Sequence, residues 1–240
     1  MHSLFISDLH LHESRPQITR AFFQFLYTQA IHAEALYILG DFFDAWIGDD
    51  DDAELVQDVA SGLHKLNELG VAIYFMHGNR DFLLGDAYAK KAGMTLIADG
   101  SLIDLYGTPT LLMHGDSLCT DDTEYQQFRA MVRSPQWQQQ ILAQPLPARR
   151  ALAAQLREKS QSMNSLKVED ILDVSPAEVI AQMAAAKVTR LIHGHTHRPA
   201  RHQIVVAGKP AERIVLGDWH DSGWCIKADQ NNIALIDWKI

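Results

Sequence analysis

Short apolar runs alternate with amphipathic stretches over most of this chain. Apolar, β-branched runs predict five strands before residue 200, at 3–7, 35–39, 71–76, 110–113 and 190–192. Apolar positions at helical spacing predict helices between the early strands, at 17–32, 55–69 and about 82–92. The last quarter instead predicts four strands joined by turns, at 201–206, 213–216, 224–228 and 233–238. Together these elements predict an α/β fold, a two-sheet β-sandwich flanked by helices.

The stretch from about residue 121 to residue 186 contains no convincing strand, and its pattern is mostly helical. It lies between two of the predicted strands, so the chain must leave the core there and return to it. We interpret it as a helical cap inserted into a single domain that spans 1–240, because 240 residues fit one large domain.

Composition and cysteine use predict a protein of the cytoplasm. Hydrophobic residues make up 47% of the chain and charged residues 21%, which is ordinary for a folded domain. Cys119 and Cys225 lack metal-binding spacing, as is typical of a reducing compartment. Asp8 interrupts the stretch in which a signal peptide would be apolar. No run approaches the ~18 apolar residues of a membrane span.

The distribution of charge narrows the possible partners. A formal net charge of −9 opposes non-specific binding to nucleic acid, whose phosphates attract cationic proteins. Residues 126–167, however, carry a formal +6, and the remainder of the chain carries −15. This basic segment is a candidate contact for a phosphate-bearing substrate or an anionic membrane surface. We interpret the acidic run Asp49–Asp52 as a solvated loop and helix start rather than as a metal site.

Residues able to bind metal ions follow the five early strands. They lie in the blocks Asp8-Leu9-His10, Gly40-Asp41, Gly78-Asn79-Arg80-Asp81, His114-Gly115-Asp116 and Gly194-His195-Thr196-His197. Taken singly, each block is also compatible with a capping acid or a structural histidine. Together they supply two carboxylates, one amide and four imidazoles at strand ends, where layered α/β folds bind ligands. That set is sufficient for two divalent ions and predicts a hydrolase of phosphoesters or phosphoanhydrides.

Spacing and ligand type restrict this metal site further. Asp8 and His10 are two residues apart at a strand end, as are His195 and His197, so each pair is expected to point to one side. Carboxylate, amide and imidazole ligands without sulfur suit manganese or iron, although zinc also binds such sites.

The five blocks resemble the shared motifs of the calcineurin-like metallophosphoesterase superfamily, D-x-H, G-D, G-N-H-D/E, a later histidine and G-H-x-H. The resemblance implies the two-sheet sandwich and two groups of metal ligands. The first group is Asp8, His10 and His197, and the second is Asn79, His114 and His195, with Asp41 bridging the two metals.

Arg80 departs from the superfamily pattern, because many relatives have histidine at this position, where it assists the departure of an alkoxide-like leaving group. An arginine does not give up its proton usefully, but it holds phosphate by two hydrogen bonds. A leaving phosphate monoester, with a second pKa near ~6, needs no proton donor. Arg80 therefore favours a phosphoanhydride as the bond that is cleaved, unless it is simply a tolerated variant.

Longer blocks extend the resemblance through essentially the whole chain. They comprise residues 6–11, 36–41, 45–50, 77–85, 113–122 and 191–199. These blocks are similar to the UDP-2,3-diacylglucosamine diphosphatases of Gram-negative lipid A biosynthesis. The resemblance implies Mn²⁺-dependent hydrolysis of UDP-2,3-diacylglucosamine to UMP and 2,3-diacylglucosamine 1-phosphate (lipid X). It further implies two Mn²⁺ per chain and attack of an activated water on the uridine-side phosphorus.

The same resemblance implies which residues act in catalysis and in substrate binding. Catalysis would depend on Arg80 and on the metal ligands Asp8, His10, Asp41, Asn79, His114, His195 and His197. Substrate would be bound by Asn79, Arg80, Asp122, Ser160, Asn164, Lys167 and His195. Ser160, Asn164 and Lys167 also share one helix face with Arg157 by spacing, although an ordinary solvated face has the same pattern. Replacing Lys167 with alanine is expected mainly to weaken binding of the lipid substrate.

The cap is also expected to contact lipid. Candidates for lining a groove for acyl chains are Phe128, Met131, Trp137, Ile141, Leu142, Leu146, Leu152 and Leu156, although apolar residues at helical spacing are often core. With Arg149 and Arg150, some of them are expected to contact the bilayer. The protein would then be peripheral on the cytoplasmic face of the inner membrane.

Two alternative functions remain at the level of sequence. The first is another enzyme of the superfamily, acting on dinucleoside polyphosphates, CDP-alcohols or phosphoproteins, which would not require a basic, apolar cap. The second is an interaction scaffold without turnover. Scaffolds of that kind have usually lost metal ligands, whereas all seven are present in this sequence.

Overall fold

Two sheets form the centre of the molecule. The computed structural model describes the backbone of residues 1–164 and 173–240, and the side chains of residues 1–158 and 173–240. Within these residues, the strands of the first sheet are Ser3–Ile6 (β1), Ala35–Ile38 (β2), Ala72–Met76 (β3), Met94–Ile97 (β4), Ser222–Ala228 (β10) and Ile233–Lys239 (β11). Those of the second are Ser101–Leu105 (β5), Thr108–Leu112 (β6), Arg190–His193 (β7), Ala200–Val206 (β8) and Lys209–Val215 (β9).

Both sheets are mixed, with parallel pairs at their centres. The first has the order β11-β10-β1-β2-β3-β4, in which β1 to β4 are parallel and the β10-β11 hairpin is antiparallel to β1. The second has the order β5-β6-β7-β9-β8, in which β6, β7 and β9 are parallel. Parallel strands need crossover connections, which helices supply between β1 and β4 and between β6 and β7, whereas β8 connects β7 to β9.

Seven α-helices are described. Their bounds are Pro16–Thr28 (α1), Glu54–Glu68 (α2), Asp86–Ala92 (α3), Thr123–Val132 (α4), Pro135–Leu142 (α5), Leu146–Asn164 (α6) and Pro176–Ala186 (α7). Helix α1 begins at a proline, whose fixed φ suits the first helical position, and α3 ends at Gly93 in the left-handed conformation.

Three apolar clusters define the layers of the fold. The largest lies between the first sheet and helices α1 to α3, where Leu4 and Ile6 of β1 pack with Phe22 and Phe25 of α1. The second lies between the two sheets and contains Phe5. Every residue of β1 is therefore buried, since one face contacts helices and the other contacts the second sheet. This two-sheet sandwich flanked by helices confirms the predicted fold class.

Helix α7 belongs to the outer layer of the second sheet. Its Val179 and Met183 are buried in the third cluster together with Leu111 and Leu191 of β6 and β7. The last part of the proposed cap region 121–186 is thus packed on the core, and the cap itself comprises α4, α5 and the described part of α6. None of the described helices is both long enough and apolar enough to span a bilayer.

Sequence patterns and structure differ at several places, among them β4, β5 and the start of α3. Strands β4 and β5 were not predicted, because they are short and only partly buried: Leu102 of β5 is 57% exposed. The helix predicted at about 82–92 begins only at Asp86. The preceding residues form a loop in which Leu84 N donates to the Asp81 carbonyl and Gly85 N donates to Asp49.

The carboxyl ends of β1, β2, β3, β6 and β7 meet at one edge of the sandwich. Backbone hydrogen bonds join the loops that follow them: Asp8 N donates to the Gly40 carbonyl at 3.0 Å, and Gly194 N donates to the His114 carbonyl at 2.8 Å. The candidate site is assembled at this edge.

Candidate metal centre

Two clusters of ligand atoms lie at the edge where these strands end. One comprises Asp8, His10 and His197, and the other comprises Asp41, His114 and His195. Within each cluster the candidate ligand atoms lie within 4.8 Å of one another. Asn79 adjoins the second cluster, since its amide oxygen lies 3.0 Å from His114 Nε2. The structure therefore brings together all seven residues to which the sequence assigned metal binding.

The backbone at the site has an uncommon conformation. Asp8, His10, Asp41, His195 and His197 have positive φ angles between 49° and 68°. Only eight non-glycine residues of the described chain share this feature. Each such residue costs about 1–3 kcal/mol and persists only where the surroundings impose it. The sequence analysis expected Asp8 and His10 to point to one side because they end a strand. In the structure β1 already ends at Ile6, and left-handed backbone turns direct these side chains toward each other.

Asp81 fastens two of the ligand loops to each other. Its fully buried carboxylate accepts hydrogen bonds from Phe42 N and Gly78 N, both at 2.8 Å, and from Asp41 N at 3.3 Å. The loops approach so closely that a Cβ on Gly78 would lie 2.2 Å from Asp41 N. Only glycine fits there, which explains the glycine of the Gly-Asn-Arg-Asp block.

Hydrogen bonds orient the ligands for a cation. His114 Nδ1 donates to the Leu39 carbonyl at 2.8 Å, which leaves its Nε2 lone pair facing Asn79 and, at 3.7 Å, Asp41 Oδ1. Asp8 Oδ1 is buried without a hydrogen-bond partner among the described residues. Acceptor atoms of Asn79, His114 and Asp41 therefore face one another, and one oxygen of Asp8 accepts no hydrogen bond from the described part of the chain. Such an arrangement fits divalent ions bound between these atoms.

The electrostatics of the site agree with this interpretation. Burial raises the pKa of Asp41 to about 7, although the nearby His114 opposes the shift. Burial would lower the pKa of His114, but Asp41, Asp116 and Asp8 raise it to about 9. Burial lowers the pKa of His10 to about 3. Without a cation, the site must either bury negatively charged carboxylates or bind protons, and both cost free energy. A bound divalent ion removes that cost because it neutralises the carboxylates.

We predict that the stability of the metal-free protein falls as the pH rises from 7 to 9. A histidine whose folded pKa is raised stabilises the fold fully below its unfolded pKa, near 6.5, and that contribution is lost as the pH rises through about 9. Burial would lower the pKa of His197, but the negative charge of Asp8, whose Oδ1 lies 3.4 Å from His197 Nε2, raises it. The lowered pKa values of His10 and His195 act below pH 6.5, outside this window.

Thermal unfolding of chelated and manganese-loaded protein at pH 7, 8 and 9, under argon, measures this effect. The midpoint of the chelated protein should fall by on the order of 5 °C across the series, and that of the loaded protein should not. If the midpoints of both forms fell equally with pH, bound ions would not replace the protons on His114 and His197.

Asp116 connects the cap to the ligand loops, a role that the sequence analysis did not assign. Its buried carboxylate accepts from Tyr125 Oη at 2.7 Å and from Arg129 Nε at 2.8 Å, and Arg133 Nη2 lies 3.4 Å away. Arg133 Nη2 also donates to the Gly78 carbonyl at 2.9 Å. Helix α4 is thereby joined to two ligand loops. The sequence did contain one signal for this role. Asp116 and Asp81 each lie two residues after a proposed metal ligand in the same motif, although neither was predicted to bind metal.

The residues predicted to bind substrate are only partly described. Arg80 is half-buried in the loop after β3, and its N–H donates to Asp41 Oδ1 at 2.8 Å. Asp122 is buried and caps α4 by accepting from Tyr125 N at 3.1 Å. The side chains of Ser160 and Asn164, on the last turns of α6, and the whole of Lys167 lie outside the described residues.

Most cations of the basic segment that the structure describes form ion pairs within the molecule. Five of its cations pair with carboxylates outside the cap helices: Arg129 with Asp99 and Asp116, Arg133 with Asp116, Arg149 with Asp50, Arg150 with Asp51 and Asp52, and Arg157 with Asp44. Arg149 is only 5% exposed, so it does not lie at the surface where a membrane contact was expected. The acidic run Asp49–Asp52 lies in a loop before α2 in which Asp50 and Asp52 are 63% and 77% exposed, and several of its carboxylates also pair with these arginines.

Comparison with known proteins places this architecture in a family. The model of the calcineurin-like phosphoesterases matches residues 1–199. The chain is 66% identical to a UDP-2,3-diacylglucosamine hydrolase of Cellvibrio japonicus, over 100% of both chains. It is 54% identical to one of Marinobacter nauticus, over 98% of this chain and 97% of the relative, and 53% identical to one of Stutzerimonas stutzeri, over 95% of each. The chain is therefore a member of the calcineurin-like phosphoesterase family and, within it, of the group formed by these hydrolases.

Proposed function

We propose that this protein hydrolyses the pyrophosphate bond of UDP-2,3-diacylglucosamine, giving UMP and 2,3-diacylglucosamine 1-phosphate. The Cellvibrio, Marinobacter and Stutzerimonas relatives are named for a substrate of this kind and align over nearly their whole length. The observation that carries the proposal is a complete set of seven candidate ligands in two adjoining clusters, with an arginine beside them.

The proposed cofactor is a pair of Mn²⁺ ions. Asp8, His10 and His197 would hold one ion and Asn79, His114 and His195 the other, with Asp41 between them. Oxygen and imidazole ligands without sulfur favour manganese or iron by ligand type. When bound, the two ions supply an activated water near neutral pH and positive charge for the phosphoryl oxygens.

Arg80 is proposed to hold the departing phosphate. Its Nε is buried and has no hydrogen-bond partner in the described part of the chain, and its backbone is fixed to Asp41. A guanidinium in this position offers two parallel hydrogen bonds to a phosphate, whose charge it stabilises as the bond breaks. Because the departing phosphate is a weak base, the reaction requires no proton donor. This chemistry favours attack on the uridine-side phosphorus, with lipid phosphate leaving.

The cap is proposed to select the lipid-bearing part of the substrate. Its apolar residues Phe128, Trp137, Ile141, Leu146, Leu152 and Leu156 are half-buried, and Met131 and Leu142 are exposed. None of these eight has the burial of a core residue, which supports a groove that acyl chains complete. Asp122, Ser160, Asn164 and Lys167 are proposed to bind the sugar and its phosphate together with Asn79, Arg80 and His195.

We also propose that the protein works on the cytoplasmic face of the inner membrane, as a peripheral protein. Its substrate carries two acyl chains, and Met131 and Leu142 of the cap are 50% and 41% exposed. Exposed apolar side chains on short helices are suited to shallow contact with a lipid surface.

Product analysis in oxygen-18 water tests the proposed reaction. The assay uses purified protein, Mn²⁺ and detergent-dispersed UDP-2,3-diacylglucosamine, and mass spectrometry locates the label. The expected result is labelled UMP with unlabelled 2,3-diacylglucosamine 1-phosphate. Label in the lipid phosphate would refute attack on the uridine side. If this substrate is not hydrolysed and a dinucleoside polyphosphate is, the metal centre stands and the proposed substrate is wrong.

A further inference from the structure

The three cap helices are held to the core mainly by polar contacts. Of the described residues in α4, α5 and α6, only Val132 and Arg149 are buried. Apolar packing, which positions most helices in globular proteins, is therefore limited here to Val132 and half-buried side chains. Seven ion pairs made by the five arginines described above supplement it, so the position of the cap depends largely on charge.

Arg149 makes the most extensive of these contacts. Its two Nη atoms bind the two carboxylate oxygens of Asp50 at 2.7 and 2.5 Å, and Nη1 also donates to the Ile47 carbonyl at 2.6 Å. Paired, nearly parallel hydrogen bonds between a guanidinium and a carboxylate fix direction as well as distance. This contact therefore determines where the first turns of α6 lie.

The loop that receives Arg149 is shaped around it. Gly48 has φ +132°, and a Cβ at this position would lie 2.2 Å from Arg149 Nη1. Asp49 holds the same loop to the core, because its carboxylate accepts from Gly85 N at 2.8 Å and from Tyr88 N at 3.0 Å. One side of the loop is fixed to α3, and the other side is fixed to the cap.

A space remains between this loop and α6. It has a volume of about 430 Å³ and is lined by Leu11, Phe43, Leu55, Ala153 and other residues, among them both partners of the Arg150–Asp51 and Arg157–Asp44 pairs. Helix and core are thus separated here by a cavity that ion pairs bridge. The length of those pairs, rather than side-chain packing, sets the distance of α6 from the core.

We propose that Asp50 and Arg149 are positioning residues that hold α6 at a fixed distance over the metal centre and thereby set the affinity for substrate. The inference rests on the proposed function, in which Ser160 and Asn164 on the same helix bind the sugar and its phosphate. A helix is stiff over such a length, so a displacement at Arg149 moves those positions as well. The metal ligands are on other elements and stay in place.

The test compares Asp50→Ala, Arg149→Ala and the double variant with the wild type. The KM for dispersed UDP-2,3-diacylglucosamine should rise by ~10-fold or more in each single variant, and kcat should stay within ~3-fold. The double variant should match Arg149→Ala, because that substitution already removes the pair together with the bond to the Ile47 carbonyl. Arg149→Lys keeps the positive charge but cannot make the two parallel hydrogen bonds to Asp50, so its KM should lie between those of the wild type and Arg149→Ala.

Asp52→Ala is the matched control. Asp52 lies in the same loop and is 77% exposed, and its partner Arg150 keeps its bond to Asp51. Its KM should stay within ~2-fold of the wild type, as expected for an exposed pair. Metal content per chain should be the same in all variants.

Hydrogen exchange of the amides in residues 146–158 measures the anchoring without any substrate. Exchange should be faster in Asp50→Ala and Arg149→Ala than in Asp52→Ala. Unchanged exchange and unchanged KM in Arg149→Ala would overturn the inference, as would a fall in kcat at constant KM or additive effects in the double variant. If the wild type does not turn over this substrate, the proposed function fails, and the exchange experiment still decides whether the pair anchors α6.

Discussion

Replacing Asp41 with alanine is expected to reduce kcat by more than ~100-fold, because even residues that only support metal ligands contribute ~10–100-fold. Asp41 is buried in the second cluster: its Oδ1 lies 3.7 Å from His114 Nε2 and accepts from Arg80 N at 2.8 Å. Without this carboxylate, both proposed metal sites lose a ligand. Metal analysis of the purified variant should find at most one ion per chain where the wild type binds two.

Stability provides a control for the Asp41→Ala result. Removing Asp41 takes away a buried charge but also the partner that raises the pKa of His114, so the variant should still unfold cooperatively, with its midpoint compared with that of the chelated wild type. Asp52→Ala should keep full activity. A variant that retained two ions and wild-type kcat would contradict the role of Asp41 as the bridging ligand.

Replacing Asp81 with alanine is expected to lower the free energy of unfolding by about 3–5 kcal/mol, which is the range for removing one partner of a buried, charged hydrogen-bonded group. The backbone N–H groups of Asp41, Phe42 and Gly78 would lose their acceptor in a buried position. Urea unfolding of chelated protein measures the change directly. Activity should fall as well, since the loops that carry Asp41 and Asn79 would no longer be joined.

Asp86→Ala is the matched control for this second substitution. Asp86 lies five residues further along, is exposed, and is in the first turn of α3, where an acid interacts only with the helix dipole. Its loss should cost at most about 1 kcal/mol. If the two variants were equally stable, the hydrogen bonds of Asp81 would not hold the loops together.

The layered core was predictable because burial on both faces leaves a simple pattern. Strands β1 and β2 are short apolar runs, and the helices between them have apolar residues on one face. Strand β5 escaped prediction for the same physical reason. It lies at the edge of its sheet, so its residues alternate between exposed and partly buried and produce no apolar run.

The sequence by itself determined the chemistry of the candidate site. Ligand types and their order along the chain do not depend on a detailed structure, and the carboxyl ends of parallel strands place such residues at one edge. The tertiary structure alone decided how those residues converge. The left-handed backbone at Asp8, His10 and Asp41 is imposed by contacts between loops, and no local pattern encodes it.

The role of the charged segments was also decided only by the tertiary structure. Arg149 and Asp50 are 99 positions apart, and their charges appeared in the sequence as a basic patch and a solvated acidic loop. Folding brings the two segments into contact, so that charges that suggested external partners neutralise each other within the molecule. Pairing between distant residues depends on how the chain returns over its core, and composition and periodicity carry no information about that path.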